Sequence, residues 1–255
     1  MNLFDTHCHL YLADFAPDIP EVIQRAAKEG VQKFFLPAID KASNADLLKL
    51  EEAFPGKCFA MTGLHPCSVN ADFLTELKLV EESLEKRKYV GIGETGLDFY
   101  WDRSFEKEQY SAFRQQVEWA VHYRLPVIIH SRESMEQTIE VIKDYQNGNL
   151  TGIFHCFSGS SGLARKIIDM GFYLGIGGVI TYKNAGLAES IKDIDLKYLV
   201  LETDAPYLSP VPFRGKRNES SYLKYIVEKL SEVKEISKEE VAEITTANAI
   251  KIFGN

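Results

Sequence analysis

His7 and His9 stand one residue apart in the opening stretch MNLFDTHCHL, and they are two of only six histidines in the chain. Read as the end of a short apolar strand, this stretch turns both imidazoles to one face and Cys8 to the other, because side chains alternate along a strand. Paired imidazoles of this kind make half of a metal site, although a lone His-X-His is as readily an ordinary hydrogen-bonded pair. Later stretches of the same form, an apolar run ending in a polar residue, offer the other half. TGLHP presents His65, GIGETGLD presents Glu94 and Asp98, and VIIHSR presents His130 and Arg132. GIFHCFSG presents His155, and LVLETDAPYL presents Glu202 and Asp204. Only His122 falls inside a helical pattern.

Six of these residues, His7, His9, Glu94, His130, His155 and Asp204, form a donor set of imidazoles and carboxylates. Such a set suits Zn²⁺, Mn²⁺, Ni²⁺ or Fe²⁺, whereas pure Mg²⁺ sites favour oxygen. Six donors exceed what one catalytic ion with an open position uses. They suit two ions sharing a bridging carboxylate, a pair able to activate water and stabilise the leaving oxygen of a phosphodiester. A polar residue at one strand end commonly only satisfies backbone groups, but a matching set on successive strand ends is costly to bury without such a purpose.

The elements that must position these residues alternate. Apolar or β-branched runs at 2–5, 33–38, 58–63, 89–93, 126–130, 151–155, 172–177 and 198–202 predict eight strands. Helical periodicity lies between them at 20–29, 42–53, 72–86, 104–124, 134–146, 161–170 and 184–192, then at 220–233, with two short helices expected at 237–244 and 246–253. Alternation of this kind predicts an α/β fold with a parallel sheet, and eight units predict a closed (β/α)₈ TIM barrel with short extra C-terminal helices. Chemistry in such a barrel sits at the C-terminal ends of the strands, where five of the six histidines fall. No Gly-X-Gly-X-X-Gly follows the first strand, which removes the main support for a dinucleotide fold.

The 255 residues, 45% hydrophobic and 26% charged, are expected to form a single domain over 1–255 with a full core. No run is long enough for a transmembrane helix and no leader pattern opens the chain, so a cytoplasmic protein without membrane association is expected. Four scattered cysteines agree with a reducing compartment. The net charge of −8 argues against broad electrostatic binding of a duplex, though not against a nucleic acid held locally. A monomer is favoured.

The ordered motifs FDTHCHL, TGLHP, GIGETGLDFY, PVIIHSR, FHCFSG, LETDAPYL and RGKRNES, with ANAIKIFG near the end, closely resemble the TatD family of metal-dependent hydrolases along nearly the whole chain. The resemblance implies a TIM barrel of the amidohydrolase superfamily with two divalent ions (Mg, Mn or Zn) as cofactors. It implies that His7, His9 and Asp204 hold one ion, that His130 and His155 hold the other, and that Glu94 bridges them. Many amidohydrolases bridge their ions with a modified lysine on strand 4, and Glu94 in its place favours the TatD branch. Relatives include metal-dependent DNases, often described as exonucleases, and some that remove D-amino acids from tRNA. Three positions depart from the family pattern: Tyr11 stands where Asp is usual, Cys67 where His is frequent, and Ser220 where Pro is usual.

Within this frame Asp204 is expected to be both ligand and general base, taking a proton from the attacking water, with Glu94 as the second catalytic group. His65 is expected to hydrogen-bond a substrate phosphate or shuttle a proton, or else to support a ligand from behind or pack, and Arg132 to hold a phosphate or pair with a carboxylate. Arg214 and Arg217, with Lys216 in PFRGKRNES, form a basic loop suited to phosphate, or else a solvated turn. Glu202 is expected to orient a ligand histidine from behind, and Asp98 to do so or to cap its loop. Phe99, Tyr100 and Trp101 could stack on unpaired bases or roof the barrel. Cys8 and Cys156 are expected to be buried small hydrophobes. The function expected is hydrolysis of DNA, as a single strand or frayed end. The alternatives are ester or amide hydrolysis, including D-aminoacyl-tRNA deacylation, and a metal-bearing scaffold barrel without catalysis.

Overall fold

A computed structural model of the chain describes residues 1–254. All eight apolar runs form parallel strands: β1 (Leu3–Asp5), β2 (Val31–Leu36), β3 (Cys58–Ala60), β4 (Ile92–Asp98), β5 (Val127–Arg132), β6 (Gly152–Phe154), β7 (Tyr173–Ile176) and β8 (Leu199–Leu201). They pair in chain order as β1-β2-β3 and β4-β5-β6-β7-β8. Backbone hydrogen bonds join the two sheets at both seams. One seam holds the Thr62–Ile92 bridge, with Gly93 N–H donating to Thr62 O at 2.8 Å. At the other, Thr6 N–H donates to Leu201 O at 3.0 Å and Asp204 N–H to His7 O at 2.9 Å. The sheet therefore runs round as the (β/α)₈ barrel expected from the alternation.

Helices α1 (Ile19–Lys28), α2 (Lys41–Ala53), α3 (Phe73–Lys86), α4 (Glu106–Tyr123), α5 (Met135–Tyr145), α6 (Ser161–Asp169), α7 (Leu187–Ile191), α8 (Leu223–Lys234) and α9 (Lys238–Phe253) connect or follow the strands. Several starts are set by side-chain oxygens that satisfy a free helix N–H. Asp40 Oδ1 accepts from Ser43 N–H at 2.9 Å at the head of α2, and Ser237 Oγ accepts from Glu240 N–H at 3.2 Å at the head of α9.

One end of the barrel interior is closed by apolar packing. Phe4, Phe35, Met61, Ile128, Ile153 and Val200 form a buried cluster that α9 covers with Ala249, Ile252 and Phe253. The Phe253 ring stacks on Phe35 at 4.0 Å between centroids. Asn248 fastens the same helix by donating to the carbonyls of Leu196 and Leu199 at 2.9 and 2.7 Å. This apolar plug leaves the opposite end, where the strands finish, to the polar residues.

The structure corrects three expectations. The two short helices at 237–244 and 246–253 are one helix, α9. Thr245 does not break it, because its hydroxyl donates to Val241 O at 2.7 Å, a bond within the helix. The fourth strand runs on through GETGLD, so Glu94 and Asp98 lie within β4. Glycine permits this, since a Cβ on Gly96 would come within 2.0 Å of His130 O on the neighbouring strand. Finally, β1 ends at Asp5, so His7 and His9 belong to the segment beyond it and strand alternation does not orient them.

Candidate metal centre

What orients the first histidine pair is a web of contacts around Asp5. This fully buried carboxylate accepts from Thr203 N–H at 2.9 Å, from the Thr203 hydroxyl at 2.6 Å and from the Ser220 hydroxyl at 2.6 Å. Burial pushes its carboxyl up to about 7, against the lowering effect of those bonds. Asp5 thus ties the exit of β1 to the segment carrying Asp204. Ser220, one of the three departures, supplies a donor that proline lacks.

All six proposed ligands converge, and Glu94 is at their centre. Its carboxylate is 2% exposed. Oε2 lies 3.1 Å from His7 Nε2 and 3.5 Å from His9 Nε2, and both nitrogens lie 3.5–3.6 Å from Asp204 Oδ1. Oε1 faces a second group, with His155 Nε2 at 2.7 Å, His130 Nδ1 at 2.8 Å and His65 Nε2 at 3.3 Å. Three overlapping triads have donor spacing compatible with an ion: His7, His9 and Glu94; His7, His155 and Asp204; and His65, Glu94 and His130. Asp204 holds a left-handed backbone at φ 54°, a conformation that non-glycine residues adopt at a cost.

For His9 and His130, outer contacts fix which ring nitrogen faces inward. The Tyr11 hydroxyl donates to Pro37 O at 2.6 Å, so it accepts from His9 Nδ1–H at 2.9 Å. That leaves the His9 Nε2 lone pair for the centre. His130 Nε2–H donates to Asp98 Oδ2 at 2.9 Å and turns Nδ1 inward. Asp98 meanwhile accepts from the N–H groups of Tyr100 and Trp101 with Oδ1, so it both caps its loop and orients His130. Glu202 is fully buried, with Oε1 3.7 Å from His155 Nδ1 and accepting from Cys156 N–H. Gly175 makes room for it: a Cβ there would meet Glu202 Oε2 at 2.1 Å.

His65 behaves differently. Its Nδ1 accepts from Cys67 N–H at 3.0 Å, and burial lowers its pKa, so the neutral ring carries its proton on Nε2 and presents a donor to the centre.

The donor chemistry fits divalent cations. His9 Nε2 lies 3.5 Å from both Glu94 Oε2 and Asp204 Oδ1 and 3.2 Å from His7 Nε2, so electron pairs crowd one space. Such an arrangement is repulsive unless positive charge lies among the donors. Without an ion, protons answer the same demand. Although burial opposes it, Asp204 and Glu94 raise His9 to about 9. Burial likewise works against ionisation of Glu94, but the surrounding imidazoles of His155, His65 and His7 hold it well below the usual carboxylate range. Buried atoms left without a partner, His7 Nδ1, His155 Nδ1 and Glu202 Oε2, lie around this centre.

The remaining candidates lie further out. Arg132 is exposed, with its guanidinium 3.8 Å over the Tyr100 ring and 5.2 Å from that of Trp101. Arg214 lies 4.2 Å over Tyr182. The structure does not bring Arg217 to the centre. Its guanidinium grips Asp18 through two bonds of 2.7 and 2.8 Å and donates to Asp14 O, so its charge is already matched. Cys8 is buried as expected, whereas Cys156 is only partly so, and burial raises both thiols. His122 is exposed on α4. Sequence reasoning marked Tyr11 only as a departure from the family pattern, because nothing local shows that its hydroxyl meets both His9 and Pro37 O. It also passed over Asp5, whose buried partners lie near position 200 and beyond.

A barrel closed at one end by apolar packing, with a buried histidine–carboxylate centre at the other, suits a metal-dependent hydrolase. Comparison with known proteins agrees. The model of the family described as TatD related DNase matches residues 4–254. The chain is 41% identical to the uncharacterized metal-dependent hydrolase YabD of Bacillus subtilis, covering 98% of each chain. It is 32% identical to the uncharacterized metal-dependent hydrolase TatD of Mycobacterium tuberculosis, covering 99% of this chain and 98% of that one. The crystal structure of YjjV, a TatD homologue from Escherichia coli, superposes with a TM-score of 0.92 at 31% identity, covering 99% and 98% of the two chains. The chain belongs to the TatD family.

Proposed function

We propose that the chain hydrolyses phosphodiester bonds of DNA from an unpaired end, using two divalent ions (Mg, Mn or Zn) that share Glu94. One observation carries this reading: the two oxygens of Glu94 face different histidines. Oε2 serves His7 and His9 beside Asp204, and Oε1 serves His130 and His155. The description of the matching family as TatD related DNase supports the choice of substrate.

When bound, such ions supply Lewis acidity and make water nucleophilic at neutral pH. The chain's own groups handle the protons and the phosphate. Asp204 stays ionised, since His9, His155 and His7 outweigh the cost of its burial, and it accepts the proton of the attacking water. His65 presents Nε2–H to a phosphate oxygen that enters beside Glu94. Asp98 and Tyr11 keep His130 and His9 in the tautomers that leave an inward lone pair.

The test supplies metal-stripped protein with Mg²⁺, Mn²⁺ or Zn²⁺ and offers an end-labelled single-stranded DNA and a D-aminoacyl-tRNA. Metal-dependent shortening of the DNA, lost in Asp204→Asn, is the expected result. Cleavage of the aminoacyl ester alone would overturn the DNA reading and move the same centre to ester hydrolysis.

A further inference from the structure

We propose that Tyr100, Trp101 and Arg132 form a stacking subsite for one unpaired nucleobase at the rim of the metal centre, beside His130. The proposal rests on the reading of the chain as acting on an unpaired DNA end, and it names the part of the surface that grips the base.

Three observations lead to it. First, Tyr100 and Trp101 are 49% and 68% exposed on consecutive positions, an unusual concentration of aromatic surface given to solvent. Their rings are perpendicular, with centroids 4.9 Å apart. Second, Arg132 lies over Tyr100 and close to Trp101 and has no carboxylate partner among the described residues. Five of the nine arginines are paired with Asp or Glu; Arg132 shares its lack of a carboxylate partner among the described residues with Arg124, Arg165 and Arg214, but it alone of these four lies over Tyr100. The N–H groups of Arg132 are therefore available to a phosphate or a base acceptor while its plane extends the aromatic surface.

Third, the platform is built onto the metal centre. Asp98 accepts the N–H groups of Tyr100 and Trp101 at 2.9 and 3.1 Å with one oxygen, and His130 Nε2–H at 2.9 Å with the other. Phe99 N–H donates to Arg132 O at 2.9 Å, which locks the loop to β5. One carboxylate thus sets both a ligand histidine and the aromatic tip, so a base on the tip has a fixed relation to the centre. A chain of net charge −8 lacks a broad attractive field for DNA, and stacking supplies affinity that does not depend on one. Bases inside a duplex have both faces stacked, so the subsite favours unpaired bases over internal base pairs.

The chain has two tryptophans, and Trp119 is buried at 7% exposure, so a ligand on the platform is read by Trp101 fluorescence. The metal-loaded protein is titrated with a short phosphorothioate oligothymidylate, which resists hydrolysis, and with an abasic strand of equal charge. The oligothymidylate is expected to quench the emission and to bind about tenfold or more tightly than the abasic strand. Trp101→Ala and Trp101→Phe remove that reporter, so their binding is read by the anisotropy of a fluorescein label on the same oligothymidylate; Trp101→Ala should lose about tenfold in affinity with its ion content unchanged, and Trp101→Phe should recover most of it. Equal binding of the two strands, or wild-type affinity in Trp101→Ala, overturns the subsite. If DNA is still shortened under those results, the nuclease reading survives without it. If the wild-type chain neither binds nor shortens DNA, both fall.

Discussion

Tyr11 sets the tautomer of His9 through a phenol, where the family pattern has a carboxylate. Its hydroxyl is committed as a donor to Pro37 O, which forces it to accept from His9 Nδ1–H. Tyr11→Phe removes that acceptor and frees the ring to carry its proton on Nε2. The expected result is a 10- to 100-fold loss of affinity for one ion, read by competition with a chelating dye, with the fold retained. Unchanged affinity would show that packing alone orients His9. At this scale the sequence was informative about donors, because six imidazoles and carboxylates at the ends of apolar runs are chemically conspicuous. It was silent about what stands behind them. The partners of Asp5 are Thr203 and Ser220, and no local pattern connects positions so far apart.

Among elements, α9 and α1 each hold the barrel in a way that can be tested. Phe253 on α9 stacks on Phe35 inside the plug. Phe253→Ala should cost roughly 3 kcal/mol or more, read as a shift of the denaturation midpoint, while ion binding at the opposite end is unaffected. A loss of ion affinity in step with stability would mean that the two ends are not independent. Helix α1 is tied to the loop after β8 by Asp18, Arg25, Arg217 and Glu219. Hydrogen bonds from Arg217 and then Arg25 bring the Asp18 carboxyl down to about 2. Its folded value is below the unfolded value near 3.9, so its stabilising effect is present above about pH 4 and is lost as pH falls through about 2. Asp18→Asn should therefore flatten the acid limb of the stability curve in that window and leave the slope above pH 5 alone. An acid limb identical to that of the wild type would remove Asp18 from the account. The eight strands were legible because buried parallel strands read as continuous apolar runs. The extent of β4 was not, because GETG carries the glycines of a turn while serving close strand contact.

For the whole molecule, the arrangement separates stability from chemistry: an apolar plug under α9 at one end, and charge at the other. The same basic loop shows why the sequence could not sort its arginines. Arg214 and Arg217 lie three residues apart, yet Arg214 rests on Tyr182 and Arg217 is matched to Asp18, 199 residues away. Which cation meets which carboxylate is decided by closure of the barrel, and a local reading cannot anticipate it. The central claim is that one carboxylate, Glu94, is shared by two ions. The most direct test counts ions per chain in metal-loaded protein by elemental analysis and chelator competition, with Glu94→Ala alongside. The account predicts two ions in the wild-type chain and at most one weakly held ion in the variant. A single ion per chain, or two ions bound undiminished without Glu94, would contradict it.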